Sequence, residues 1–144
     1  MKIAVYGAMG YTGRLVAAEL RRREIDFVLC GRDRARLGDA AALIGAPGTE
    51  LRIASIDDPA ALHSAFSDCN VAINCAGPFS LYGEPVVEAA IAARCHYLDT
   101  TGEQLFIKRI FDRHDTVAER AGVTEDGLEH EHDVIRAGLG AQEP

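Results

Sequence analysis

Near the start of the chain, Gly7-Ala8-Met9-Gly10-Tyr11-Thr12-Gly13 spaces three glycines as G-x-x-G-x-x-G, a pattern suited to holding an anion. Gly7 permits a tight turn, Gly10 lets a diphosphate reach bare main chain, and Gly13 lets a helix lie close to a strand. A helix starting here offers unpaired amides and its positive dipole end, to which the Thr12 hydroxyl can add a hydrogen bond. At a distance of about 20 residues, where dinucleotide sites read the ribose, stands Cys30-Gly31-Arg32-Asp33-Arg34. Arg32 can grip a 2′-phosphate with a forked pair of bonds and stack on adenine while Arg34 adds charge, which selects NADP. In the other reading both arginines are solvated, Asp33 holds the 2′-hydroxyl, and NAD binds. Asp57 stands where adenine would lie and could equally cap a helix. Ala76-Gly77-Pro78 leaves room for a nicotinamide ring, although a simple turn also accounts for it.

These groups converge only if each ends a strand. Lys2–Tyr6 is mostly apolar and stops at Gly7, which predicts a strand buried on both faces. Thr12–Arg23 follows with Leu15, Val16 and Leu20 on one helical face and Arg21–Arg23 at the dipole's negative end. Phe27–Cys30 reads as a second strand, Asp33 as the N-cap of a helix carrying Leu37, Ala41 and Ile44, and Gly45, Pro47 and Gly48 as a break. Residues 50–56 predict a third strand, and Asp57-Asp58-Pro59 opens a helix with Leu62 and Phe66. Val71–Cys75 is the fourth strand; Glu84-Pro85 is expected to open the next helix, through Val86, Val87, Ala90 and Ile91. Tyr97 and Leu98 mark a short fifth strand, and residues 105–121 a long amphipathic helix. Strands alternating with helices predict an α/β fold with a doubly wound, mostly parallel sheet of Rossmann type. Its expected strand order is 3-2-1-4-5, with a ligand crevice at the carboxyl ends of strands 1 and 4.

The 144 residues predict one domain, 48% hydrophobic and 26% charged, with a net charge of −7 that argues against nucleic acid as a partner. Gly7 cuts off the apolar run from Ile3, leaving no signal core or membrane span, so a cytoplasmic address is expected. Cys30, Cys69, Cys75 and Cys95 form no C-x-x-C pair and read as reduced structural thiols. Residues 1–124 hold 16 acids and 14 bases, whereas residues 125–144 hold 6 acids and 1 base. That contrast predicts a domain over 1–124 and an acidic tail over 125–144, in which Leu128, Val134, Ile135 and Leu139 could instead form a short docked helix. His130-Glu131-His132 lacks further spaced ligands, and no metal site is expected there. Tyr82, Glu84, His96 and Glu103 are polar groups expected near the carboxyl edge, but each has an ordinary structural task, and Cys75 has no identifiable base; no catalytic residue is assigned.

The ordered motifs Gly7–Leu15, Cys30-Gly31-Arg32, Asn74–Phe79, Tyr82–Val87 and Tyr97–Glu103 resemble the N-terminal NADP-binding domain of saccharopine dehydrogenase-like proteins, including trans-acting enoyl reductases. The resemblance covers about Lys2–Thr124. It implies hydride transfer between NADP(H) and a carbonyl, imine or enoyl group, with the protein supplying orientation. Met9 stands where similar sequences carry Thr or Ser, which removes a hydroxyl from the phosphate loop and leaves its backbone amides. Similar proteins continue into a substrate domain, whereas Glu125-Asp126-Gly127 here begins the acidic stretch; a truncated or frame-shifted product is therefore expected. A partner chain or a homo-oligomer could supply what is missing. The rival reading is a non-catalytic NADP(H) sensor or regulatory module.

Overall fold

The computed structural model describes residues 1–126. Its strands are β1 (Lys2–Tyr6), β2 (Asp26–Gly31), β3 (Leu51–Ile53), β4 (Val71–Asn74), β5 (His96–Asp99) and β6 (Glu125–Asp126). The helices are α1 (Tyr11–Arg22), α2 (Arg34–Leu43), α3 (Pro59–Phe66), α4 (Phe79–Ala92) and α5 (Gln104–Ala121). All pairings are parallel and the strand order is β3-β2-β1-β4-β5-β6. The expected 3-2-1-4-5 core is present. Beside it, Tyr97 and Leu98 pair with Glu125 and Asp126, so the sheet runs two residues past the compositional break at 124. The candidate docked helix and the His130-Glu131-His132 segment lie outside the described residues.

Alternation along β1 builds two cores. Ile3 and Val5 face one side with Leu29, Ala17 and Leu20 of α1, and Leu37 and Ala41 of α2. Ala4 and Tyr6 face the other with Val28, Ala72, Leu62 and Phe66 of α3, Val86, Val87 and Ala90 of α4, and Phe106 and Ile110 of α5. A sheet covered on both faces explains why its strands read as continuous apolar runs. Because β1 pairs with β2 on one side and β4 on the other, the chain changes direction across the sheet at that boundary, leaving a crevice beyond the carboxyl ends.

Two helix starts carry the local caps that their sequence offers. Asp33 caps α2, its Oδ1 accepting from the Arg36 amide at 3.1 Å, and Asp58 caps α3 by accepting from the Ala61 amide at 2.9 Å. Helix α4 departs from expectation. It begins at Phe79, well before Glu84-Pro85, and carries Pro85 inside it. The reason is a remote cap: the Glu103 carboxylate accepts from the Phe79 amide at 2.7 Å and the Ser80 amide at 2.9 Å. A charged acceptor on two otherwise unpaired amides supports the first turn, although Pro85 removes one amide from the helical ladder.

Candidate functional site

The glycine loop folds against the end of β4. Gly7 sits at φ +77°, and a Cβ placed on it would come 2.8 Å from the Ala76 nitrogen, so any side chain is excluded by both strain and space. At Gly13 an added Cβ would overlap the Gly7 carbonyl and Ala8 Cα, so this glycine lets α1 lie against the loop. Gly10 differs: an added Cβ would meet only the Gly7 oxygen, at 3.4 Å, and otherwise faces open space. Gly10 is the N-cap of α1 without a side-chain cap, while its own carbonyl accepts from Arg14 at 3.1 Å. The Tyr11, Thr12 and Gly13 amides have no acceptor among the described residues. A helix start with unclaimed amides beside an open glycine fits an anion.

A cleft of about 450 Å³ opens from this loop along the carboxyl ends of β1 to β4. It brings together Gly7, Met9, Arg32, Asp57, Ala76 and Gly77 from the sequence reading. The other expected residues do not line it. Ala8 is buried in the core below, Tyr11 and Thr12 are exposed on the first turn of α1, and Gly10 and Gly13 belong to the loop and its packing. Arg34 is the exposed first residue of α2, and Pro78, joined to Gly77 by a cis peptide, is the N-cap of α4.

Since Asp33 is engaged with the Arg36 amide, its carboxylate acts as a cap, while the exposed Arg32 lines the cleft. Likewise Asp58 caps α3, and Asp57 is exposed along the cleft. Together with Tyr82, one of the polar candidates, the wall is completed by Tyr6, Gly31, Ser55 and Ile56, which no motif marks as site residues. Their one available signal was position, directly at or after the ends of strands β1, β2 and β3. Tyr6 donates its hydroxyl to the Ala54 carbonyl at 3.2 Å, and burial pushes its pKa up to about 12, so it stays a neutral wall group.

The remaining polar candidates have structural partners. Glu84 accepts from Arg113 at 2.9 Å and lies 3.0 Å from His114, linking α4 to α5. Glu88 joins these two residues in a cluster with ligand atoms within 4.8 Å, but the Arg113 guanidinium already occupies the shared Glu84 oxygen. His96 does not reach the carboxyl edge. It pairs with Val71 at the amino end of β5, where its Nδ1 accepts from the Thr124 amide at 3.1 Å. All four cysteines are free, and burial, with Asp99 nearby, pushes Cys75 up to about 11, so its thiol stays protonated near neutral pH.

A doubly wound parallel sheet with a glycine-lined crevice at its switch point defines a dinucleotide-binding domain of the Rossmann class. The profile of the saccharopine dehydrogenase NADP binding domain matches residues 3–131, and the chain belongs to that family of NADP-binding domains. It is 33% identical over 124 residues to a trans-acting enoyl reductase of Mycobacterium leprae, covering 83% of this chain and 30% of that protein. It is 32% identical over 133 residues to a probable mitochondrial saccharopine dehydrogenase-like oxidoreductase of Arabidopsis thaliana, covering 83% and 29%. An apo saccharopine dehydrogenase (L-Glu forming) from Saccharomyces cerevisiae shares the fold, with a TM-score of 0.71 at 18% identity, over 94% of this chain and 29% of that one. The chain spans 28% to 32% of the length of the curated relatives it matches. Among the described residues no helix is long and apolar enough to cross a membrane.

Proposed function

We propose that the cleft takes NADP(H) with its diphosphate on the Gly7–Gly13 loop and its 2′-phosphate at Arg32, with Arg34 adding charge at the rim. The observation that carries this reading is the pairing of an engaged Asp33 with an exposed Arg32 at the cleft. Adenine lies against Ser55, Ile56 and Asp57, and nicotinamide against Ala76 and Gly77, with Pro78 fixing where the loop enters α4 and Tyr82 across the opening. The unclaimed amides of Tyr11, Thr12 and Gly13 and the Thr12 hydroxyl orient the diphosphate, while Ala8 and Gly10, whose amide donates to the Gly7 carbonyl at 3.0 Å, shape the loop beneath it; Met9, apolar, separates the loop from Gly31, its methyl 3.4 Å from where a Gly31 Cβ would stand.

When bound, the dinucleotide supplies or accepts a hydride, and the protein's part is to hold the ring at one face of the open cleft. The substrate is a carbonyl, imine or enoyl compound, the class the motif resemblance implies and of which the Mycobacterium leprae relative's name carries the enoyl case, held by a second domain of the same protein, a partner chain, or another copy. The separate sensor reading is distinguished by turnover. The binding domain runs through β6, past the boundary at 124 that the charge contrast gave, in a protein of the cytoplasm, an address that a fluorescent fusion would test against the mitochondrion named for the Arabidopsis relative.

Titration of the chain with NADPH and NADH tests the cofactor reading. NADPH should bind at least about tenfold more tightly, the worth of one charge-assisted contact to the 2′-phosphate. Equal affinities would remove Arg32 from its role.

A further inference from the structure

The loop between β4 and α4 forms one wall of the cleft, and both its ends are held by side chains from outside the loop. At the near end, Asn74 is completely buried and its Oδ1 accepts from the Ala76 amide at 3.0 Å. At the far end the Glu103 carboxylate accepts from the amides of Phe79 and Ser80.

These two holds are joined. The Asn74 Nδ2 donates to the Tyr97 hydroxyl at 3.1 Å, and that hydroxyl donates to Asp99 Oδ2 at 2.8 Å. Asp99 Oδ1 accepts from the Thr101 amide at 2.9 Å, and Thr101 Oγ1 accepts from the Glu103 amide at 3.0 Å. The donor and acceptor roles follow in one direction only. Burial raises the Asp99 carboxyl above its ordinary value, yet both its oxygens accept, from the Tyr97 hydroxyl and the Thr101 amide, so the phenol oxygen faces Asn74. The Asn74 side chain must then turn its NH2 toward Tyr97 and its oxygen toward Ala76. Burial keeps the Tyr97 hydroxyl protonated, its pKa well above the ordinary phenol value. None of these five residues lines the cleft.

We propose that Asn74, Tyr97, Asp99, Thr101 and Glu103 act as one clamp that presets the 76–80 segment, and with it the nicotinamide side of the cleft. The proposal rests on the cofactor reading above. The five are positioning residues: they reach the dinucleotide only through the loop they hold. A preset wall lowers the ordering cost of binding the nicotinamide half and leaves the adenosine half, held at β2 and β3, unaffected.

This asymmetry provides the test. Tyr97→Phe and Glu103→Gln, checked for folding by circular dichroism, are titrated with NADPH and with adenosine 2′,5′-bisphosphate, which fills only the adenosine half. NADPH affinity should fall about fivefold in each, while bisphosphate affinity stays within about twofold. Equal weakening of both ligands, or of neither, overturns the clamp, because a purely structural network would not distinguish the two halves. If the parent protein binds neither ligand, the cofactor reading falls by itself. Amide exchange then judges the clamp: Glu103→Gln should speed exchange at Ala76 as well as at Phe79 and Ser80, and an unchanged Ala76 would show the two holds to be independent.

Discussion

Gly7 and Ala76 approach so closely that a Cβ on Gly7 would sit 2.8 Å from the Ala76 nitrogen. The glycine loop after β1 and the loop after β4 therefore meet backbone to backbone at the sheet's switch point.

That contact separates the roles of two glycines. Gly7→Ala combines left-handed backbone strain with overlap and should cost about 3 kcal/mol or more of stability. Gly10→Ala has room, so its urea midpoint should move little, yet its methyl group should weaken NADPH binding by about tenfold or more. Normal NADPH affinity in Gly10→Ala would place the diphosphate elsewhere.

At the ribose, Arg32→Ala should lower NADPH affinity by about tenfold to a hundredfold and leave NADH unchanged. Asp33→Ala should cost about 1 kcal/mol of stability, as loss of a helix cap does, without changing the NADPH to NADH ratio. Calorimetric titration of the three proteins separates these outcomes; a ratio that moved with Asp33 would return the carboxylate to the ribose.

The crossing of α4 and α5 is tight at Gly83, where an added Cβ would stand 2.6 Å from Phe106 Cε2. Gly83→Ala should destabilise by about 1–3 kcal/mol through overpacking. In a Phe106→Leu background the same change should cost less by about 1 kcal/mol, read from thermal melts of a double-mutant cycle. Additive costs would mean that the helices separate elsewhere.

The Arg52 guanidinium, and then the Lys2 ammonium, hold the Asp68 carboxyl well below the usual carboxylate range. A carboxylate lowered by folding adds stability that is present above its unfolded pKa of about 4 and lost as pH falls below it. Asp68→Asn should therefore be less stable than the parent at pH 7, by about 0.5–1 kcal/mol for so exposed a pair. The difference should close between about pH 4 and pH 2. Urea midpoints across that range check it, and a constant difference would assign the effect to packing.

Sequence alone determined what is local or periodic. Apolar runs ending in glycine or a capping aspartate marked the strands and helix starts, and three glycines marked the tight loop between β1 and α1, because these signals act within a few residues. The tertiary structure decided what depends on distant partners. Glu103, 24 residues beyond Phe79, moved the start of α4 ahead of Pro85. Asp57 and Asp58 are adjacent and alike, and only the path of the chain after β3 assigned the cap to one and the cleft to the other. Tyr6, Ser55 and Ile56 joined the site because parallel strands end side by side, a coincidence in space that no spacing along the chain encodes.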